Sequence, residues 1–141
     1  MVEPFLQSFV IEGNNFYAAG KASTEIKLIL KQLGIDSTVI RRVAIATYEA
    51  EMNVVMYAQH GILTFEVTPR TIRVIVNDLG PGIPDIELAL KEGYSTATEK
   101  MREMGFGAGM GLPNIKKNSD EFKIESTVGR GTTVEFTMYI N

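Results

Sequence analysis

The 141 residues include 14 Lys and Arg against 17 Asp and Glu, and 45% are hydrophobic, which suits one compact domain, spanning 1–141, with a buried core. The formal net charge of −3 leaves no basic footprint for nucleic acid or an anionic membrane surface as a partner. The absence of cysteine excludes disulfides, thiolate metal sites and a cysteine nucleophile, and the single histidine, His60, cannot build a zinc cluster.

Met1 to Val10 contains Glu3 and Pro4 rather than a basic leader, and no window nears the ~18 apolar residues of a membrane span, so a cytoplasmic protein is expected. Phe5, Phe9 and Ile11 share one face of a short edge strand. From Asn15 to Leu33, Phe16, Ala19, Ile26, Leu30 and Leu33 fall on one side of a helix that Gly34 stops. Asp36 or Ser37 caps a second helix running from Val39 to Tyr57 without proline or glycine. Leu63, Phe65 and Val67, then Ile72, Val74 and Val76, alternate with outward residues and predict two antiparallel strands about Pro69-Arg70.

A short helix is expected over 85–92, and 93–109 reads as a glycine-rich loop of functional length. Gly111 to Asn118 predicts another short helix. Phe122 to Ser126 and Thr132 to Ile140 predict a hairpin turning at Gly129-Arg130-Gly131. This order breaks regular βα alternation. It predicts an α+β fold, a two-layer sandwich whose mixed, mostly antiparallel sheet is covered on one face by helices.

Three segments could carry chemistry. Glu49 and Asn53, one turn apart on the long helix, lie about 6 Å apart along its axis and point from one face. There Asn53 with phosphate oxygens could hold magnesium, and Glu49 could accept a proton from an attacking hydroxyl; the same pair would equally serve as ordinary surface positions. Asp78-Leu79-Gly80-Pro81-Gly82 follows a strand, so its carboxylate could accept an exocyclic amine while the glycines admit a flat ring, although Asp, Gly and Pro also make plain turns.

Gly105, Gly107, Gly109 and Gly111 alternate before Leu112-Pro113-Asn114, which reads as a helix start. Bare amides backed by a helix N-terminus form an anion cradle, against the alternative of a flexible linker. The run is neither a Walker sequence, which needs Gly-Lys-Ser/Thr, nor a dinucleotide fingerprint. Thr132 or Thr133 could contact nucleotide or hold Asp78 through a water, Lys100 and Arg102 could close over phosphates, and His60 reads as a surface turn residue.

Glu49-Ala50-Glu51-Met52-Asn53, Asp78 to Gly82 and Gly105 to Leu112, in this order, resemble the N, G1 and G2 boxes of the GHKL ATPase superfamily, with its histidine-kinase-like ATPase fold. Gly93-Tyr94-Ser95-Thr96, Gly111 to Lys117 and Asp120-Glu121-Phe122 resemble its bacterial anti-sigma factor and switch-kinase branch. The resemblance implies a serine/threonine protein kinase that binds ATP, ADP and Mg2+ and phosphorylates a small STAS-type antagonist protein. The alternative is an ATP-gated anti-sigma or switch module that binds a sigma factor or other regulator without transfer. It implies Glu49 as the base, Asn53 as the magnesium ligand and Asp78 as the adenine anchor. Gly80, Gly82, Ile83, Gly105, Gly107, Gly109, Met110, Gly111, Leu112 and Thr132 complete the nucleotide-binding set. Two departures stand out: Glu51 adds a carboxylate to the N box, and Ala97 to Met104 lengthens the lid. The helical face near Asn15 to Leu33 leaves room for a homodimer.

Overall fold

A computed structural model of the chain describes residues 4–91 and 111–140. Five strands, β1 (Phe5–Glu12), β2 (His60–Val67), β3 (Thr71–Leu79), β4 (Glu121–Thr127) and β5 (Gly131–Tyr139), form one sheet in the order β1-β2-β3-β5-β4. The helices are α1 (Lys21–Gln32), α2 (Ser37–Tyr57), the short α3 (Ile86–Ala89) and α4 (Gly111–Asn118).

The sheet is antiparallel at all four of these pairings rather than mixed. Tight turns reverse the chain between β2 and β3 and between β4 and β5. The pair α1 and α2 returns it to the end of the sheet it left, so β2 runs against β1. Strands β3 and β4 run the same way, but β5 lies between them and pairs antiparallel with both.

Period-two alternation explains how the sheet packs. Leu63 and Phe65 of β2, Ile72 and Val74 of β3 and Phe136 and Met138 of β5 are fully buried beneath the helices. They meet Ile26 and Leu30 of α1, Val43, Ala46 and Val54 of α2, and Ile115 of α4, which together form the core. Among the described residues no helix is long and apolar enough to cross a membrane.

The long helix begins where its cap dictates. Asp36 accepts the Thr38 amide at 3.1 Å, which settles the choice between Asp36 and Ser37. Helix α1 starts at Lys21, six residues later than periodicity suggests, because Gly20 takes a left-handed conformation (φ 93°) and the preceding residues form turns. Helix α3 is likewise shorter than expected, covering Ile86–Ala89 behind an Asp85 cap that accepts the Leu88 amide at 3.0 Å.

The C-terminal end of α4 is tied to α2 by Arg42. Its Nε donates to the Asn118 carbonyl at 3.0 Å and its Nη2 meets Asp120 at 3.1 Å. Asp120 in turn accepts the Tyr139 amide at 2.7 Å, and these donors hold its carboxyl below the usual carboxylate range. An orphan helix carbonyl and a strand amide are thereby satisfied by one ion pair. The clamp sets where the other end of α4, which carries Gly111, meets α2.

Candidate nucleotide site

The residues singled out above gather at one end of the sheet. The C-terminal half of α2, the last residues of β3, the first residues of β5 and the start of α4 all reach it. Glu49 and Asn53 lie on the face of α2 that meets α4. A Cβ built on Gly111 would stand 3.2 Å from Asn53 Oδ1 and 3.4 Å from Glu49 Oε2. The backbone of the first turn of α4 thus rests against both polar side chains, closer than most side chains would permit.

Burial raises the Glu49 carboxyl above the usual carboxylate range, and a hydrogen bond from the Asn114 side chain opposes the rise. A half-buried carboxylate held in this way is neither an exposed helix position nor part of an ion pair among the described residues. The surface-position alternative for Glu49 is therefore set aside.

Asp78 belongs to the strand rather than to the loop after it, since it pairs with Gly61 across the ladder. Its Oδ1 accepts the Thr132 backbone amide at 3.0 Å, so the carboxylate is held directly, without an intervening water. Burial raises its carboxyl too, and the Thr132 amide works against that rise. A carboxylate has lone pairs to spare beyond one amide, so acceptor capacity remains for an amine.

The glycines of this segment answer to close packing. A Cβ on Gly80 would lie 3.2 Å from both Asp78 Oδ1 and the Cα of Ala58, at the end of α2. Gly82 sits at φ 77°, where a Cβ would collide with the backbone of Thr127 and Val128. Hydrogen bonds stitch the loop to the β4–β5 hairpin, from Gly80 to the Arg130 carbonyl at 3.2 Å and from Gly129 to the Pro81 carbonyl at 2.9 Å. This is more than a turn: the loop is laid along a neighbouring hairpin with no space for side chains.

Ile83 donates its amide to Ser126 Oγ at 2.7 Å, and that hydroxyl also pairs with Thr132 Oγ1 at 2.8 Å. Thr132 therefore contributes its amide to Asp78 and its hydroxyl to Ser126, while Thr133 donates to Asn77 Oδ1 at 2.6 Å. Leu112 turns into the core and anchors α4 there. His60 opens β2 opposite Glu12 and Leu79 instead of occupying a turn.

Gly105, Gly107, Gly109, Met110, Lys100, Arg102 and the lengthened lid from Ala97 to Met104 lie outside the described residues. The extra N-box carboxylate has a different address from the one its position suggests. Glu51 is 2% exposed and faces α1, where it accepts amides from Gly20 and Ser23 at 3.0 Å and from Ala22 at 3.3 Å. Two residues of helix turn it to the side away from Glu49 and Asn53, so it serves as a cap for a neighbouring helix.

Sequence reasoning also passed over Ser126 and Asn114. Ser126 looks like any outward strand residue. Asn114 lay inside the stretch that carried the resemblance, and its position one turn beyond Gly111 was the available signal.

An α+β sandwich that brings an acidic residue and an asparagine of a long helix against a glycine-led helix, with a half-buried aspartate at a strand end, is the arrangement of an ATPase-type domain. The chain belongs to the histidine kinase-like ATPase domain family, whose sequence pattern matches residues 17–138. It is 32% identical to the serine/threonine-protein kinase RsbT of Bacillus subtilis over 76% of this chain and 77% of that protein. It is 33% identical to the anti-sigma F factor of Caldanaerobacter subterraneus over 84% of this chain and 83% of that one. The adaptive-response sensory kinase SasA of a Synechococcus strain is 27% identical over 81% of this chain but only 31% of its own length.

Proposed function

We propose that this chain is a cytoplasmic, single-domain serine/threonine protein kinase of the switch-kinase type, which transfers the γ-phosphoryl group of ATP to a hydroxyl on a small STAS-type regulatory protein. The observation that carries the reading is the seam between α2 and α4, where Gly111 packs on Asn53 and Glu49 while Asn114 hydrogen-bonds Glu49. Similarity to the kinase RsbT over most of both chains supports the choice of reaction.

In this reading the Asp78 carboxylate accepts the adenine amino group, and Gly80, Gly82 and Ile83 give the flat base room beside the hairpin. Gly105, Gly107, Gly109 and Gly111 present amides to the phosphates, with Met110 and Leu112 between and after them. Mg2+, held by Asn53 Oδ1 together with phosphate oxygens, would neutralise charge on the transferring group.

The partner's hydroxyl oxygen bonds to the γ-phosphorus, the bond to the β–γ bridging oxygen breaks with its electrons leaving on ADP, and the hydroxyl proton passes to Glu49. A carboxylate with raised proton affinity is a better acceptor for that proton than a fully solvated one. Little covalent chemistry is demanded of the protein, so positioning and charge stabilisation do most of the work.

The test is transfer of labelled γ-phosphate to a purified STAS-domain protein from the same organism, with Glu49→Ala in parallel. Loss of transfer with ADP affinity retained supports the reading; undiminished transfer by Glu49→Ala refutes the base. The similarity to anti-sigma F factors favours one second reading, an ATP-gated module that captures a sigma factor or other regulator. ATP-dependent co-elution with a sigma factor and no labelled product would select it. Leu28 on α1 and Leu33 just after it, both exposed, offer apolar surface to a second copy, and sedimentation would test that homodimer.

A further inference from the structure

Asn114 stands in the stretch that carries the branch resemblance, which gives it no role. Its surroundings give it one. It lies three residues after Gly111 and so on the same face of α4, the face that rests on Asn53 Oδ1 and Glu49 Oε2. From there its side chain hydrogen-bonds the Glu49 carboxylate across the gap between the two helices. Asn114 is half-buried, and its own carbonyl accepts the Asn118 amide group at 2.8 Å.

Both ends of α4 are fixed. At the start the helix lies directly on the α2 side chains. At the finish Arg42 of α2 holds the Asn118 carbonyl and Asp120. Ile115, beside Asn114, is fully buried in the core, so α4 cannot roll without unpacking it. An amide on such a support arrives with little rotamer freedom left to lose, which makes its single hydrogen bond effective at fixing a carboxylate that could otherwise adopt several rotamers.

We propose that Asn114 is a positioning residue for the phosphoryl-transfer reaction: it holds the Glu49 carboxylate between α2 and α4 in the orientation that receives the acceptor hydroxyl's proton. The asparagine touches neither nucleotide nor acceptor and acts through Glu49. One amide donor leaves the carboxylate with free lone pairs for the incoming proton. Because α4 begins at Gly111, the last of the alternating glycines, the same rigid helix carries a phosphate-facing amide at one position and the base's tether at the next turn. The proposal rests on the kinase reading, with Glu49 as the base.

The test uses the full chain with ATP, Mg2+ and the STAS-domain acceptor. Loss of a hydrogen bond to a charged group corresponds to roughly a tenfold fall in kcat for Asn114→Ala, with KM for the acceptor and affinity for ADP within about threefold of the parent. Asn114→Asp keeps the shape but turns an acceptor toward the carboxylate, and it should fall at least as far as Asn114→Ala. Asn114→Gln, which retains the donor, should recover part of the loss. In a Glu49→Ala background whatever residual transfer remains should be unchanged by Asn114→Ala, since the two residues act as a unit.

An unchanged kcat in Asn114→Ala, Asn114→Asp as active as the parent, or a full additional loss in the Glu49→Ala background would each overturn the proposal. A readout without acceptor separates this from failure of the kinase reading. The side-chain amide resonances of Asn114 in a 15N spectrum should shift when Glu49 is replaced by alanine. If the parent transfers no phosphate at all, the kinase reading falls, and the proposal falls with it even where the tether is seen. If the parent transfers but those resonances do not move, the tether alone is wrong.

Discussion

Replacing Glu51 by alanine removes a buried carboxylate and strands the three amides it serves, those of Gly20, Ala22 and Ser23, at 3.0, 3.3 and 3.0 Å. Hydrogen bonds to a charged group contribute about 1.5–3 kcal/mol each, but the cost of burying the charge offsets part of their sum. Loss of a helix cap alone costs about 1 kcal/mol, and amides left unpaired where water cannot reach them add to it. The Ser23 hydroxyl, which donates to the Gly20 carbonyl at 3.0 Å, faces the wrong way to replace the acceptor. We expect a net loss of about 3 kcal/mol, which for a domain of this length lowers Tm by about 10 °C.

Urea unfolding followed by far-UV circular dichroism measures that loss, and hydrogen exchange at Gly20, Ala22 and Ser23 shows whether it arises at the predicted place. Glu51→Gln should lose less, since its carbonyl oxygen can still accept amides although its NH2 group now meets a donor. A loss below about 1 kcal/mol in Glu51→Ala, or unchanged protection at the three amides, would refute the capping argument.

Asp78→Asn should keep the fold, because the asparagine oxygen can still accept the Thr132 amide, yet weaken ADP binding at least tenfold by calorimetry. The same variant should be more stable than the parent at neutral pH. The raised carboxyl of Asp78 means the folded chain disfavours its charged form, a cost present above its folded pKa and gone below the unfolded one, so the gain in Tm should vanish as pH falls through the ordinary carboxylate range. Gly111→Ala places a methyl group against Asn53 and Glu49, and nucleotide affinity should drop while Tm holds or rises, since alanine favours a helix over glycine by up to about 1 kcal/mol. Gly82→Ala should lose both binding and about 1–3 kcal/mol of stability, because its left-handed backbone and the nearby hairpin leave no place for a side chain.

Local pattern in the sequence was enough for whatever depends on periodicity and on residue chemistry with few alternatives. The strands through Leu63, Val74 and Phe136 follow from alternation, the long α2 from an uninterrupted run of helix formers, and the hairpin at Gly129 from turn chemistry. Glu49 and Asn53 are legible as a pair because one helical turn fixes their common face, and the three boxes in their order carry the family resemblance. The sequence of Asp78, Gly80 and Gly82 pointed to a site but equally to a turn.

Tertiary structure decided the rest, because it depends on which elements meet. Nothing in Glu51-Met52-Asn53 says that the glutamate faces α1 and the asparagine faces α4; that follows from packing α2 between two helices, where residues two apart point in opposite directions. The late start of α1 came from the left-handed Gly20 and the carboxylate that caps it, a partner 31 residues away. Thr132 holds Asp78 through its amide because β5 lies beside β3, and Ser126 joins them only because β4 is next in the sheet. Periodicity belongs to a single segment and is written in its residues, whereas the tether from Asn114 to Glu49 belongs to two helices whose separation in the chain carries no trace of their contact.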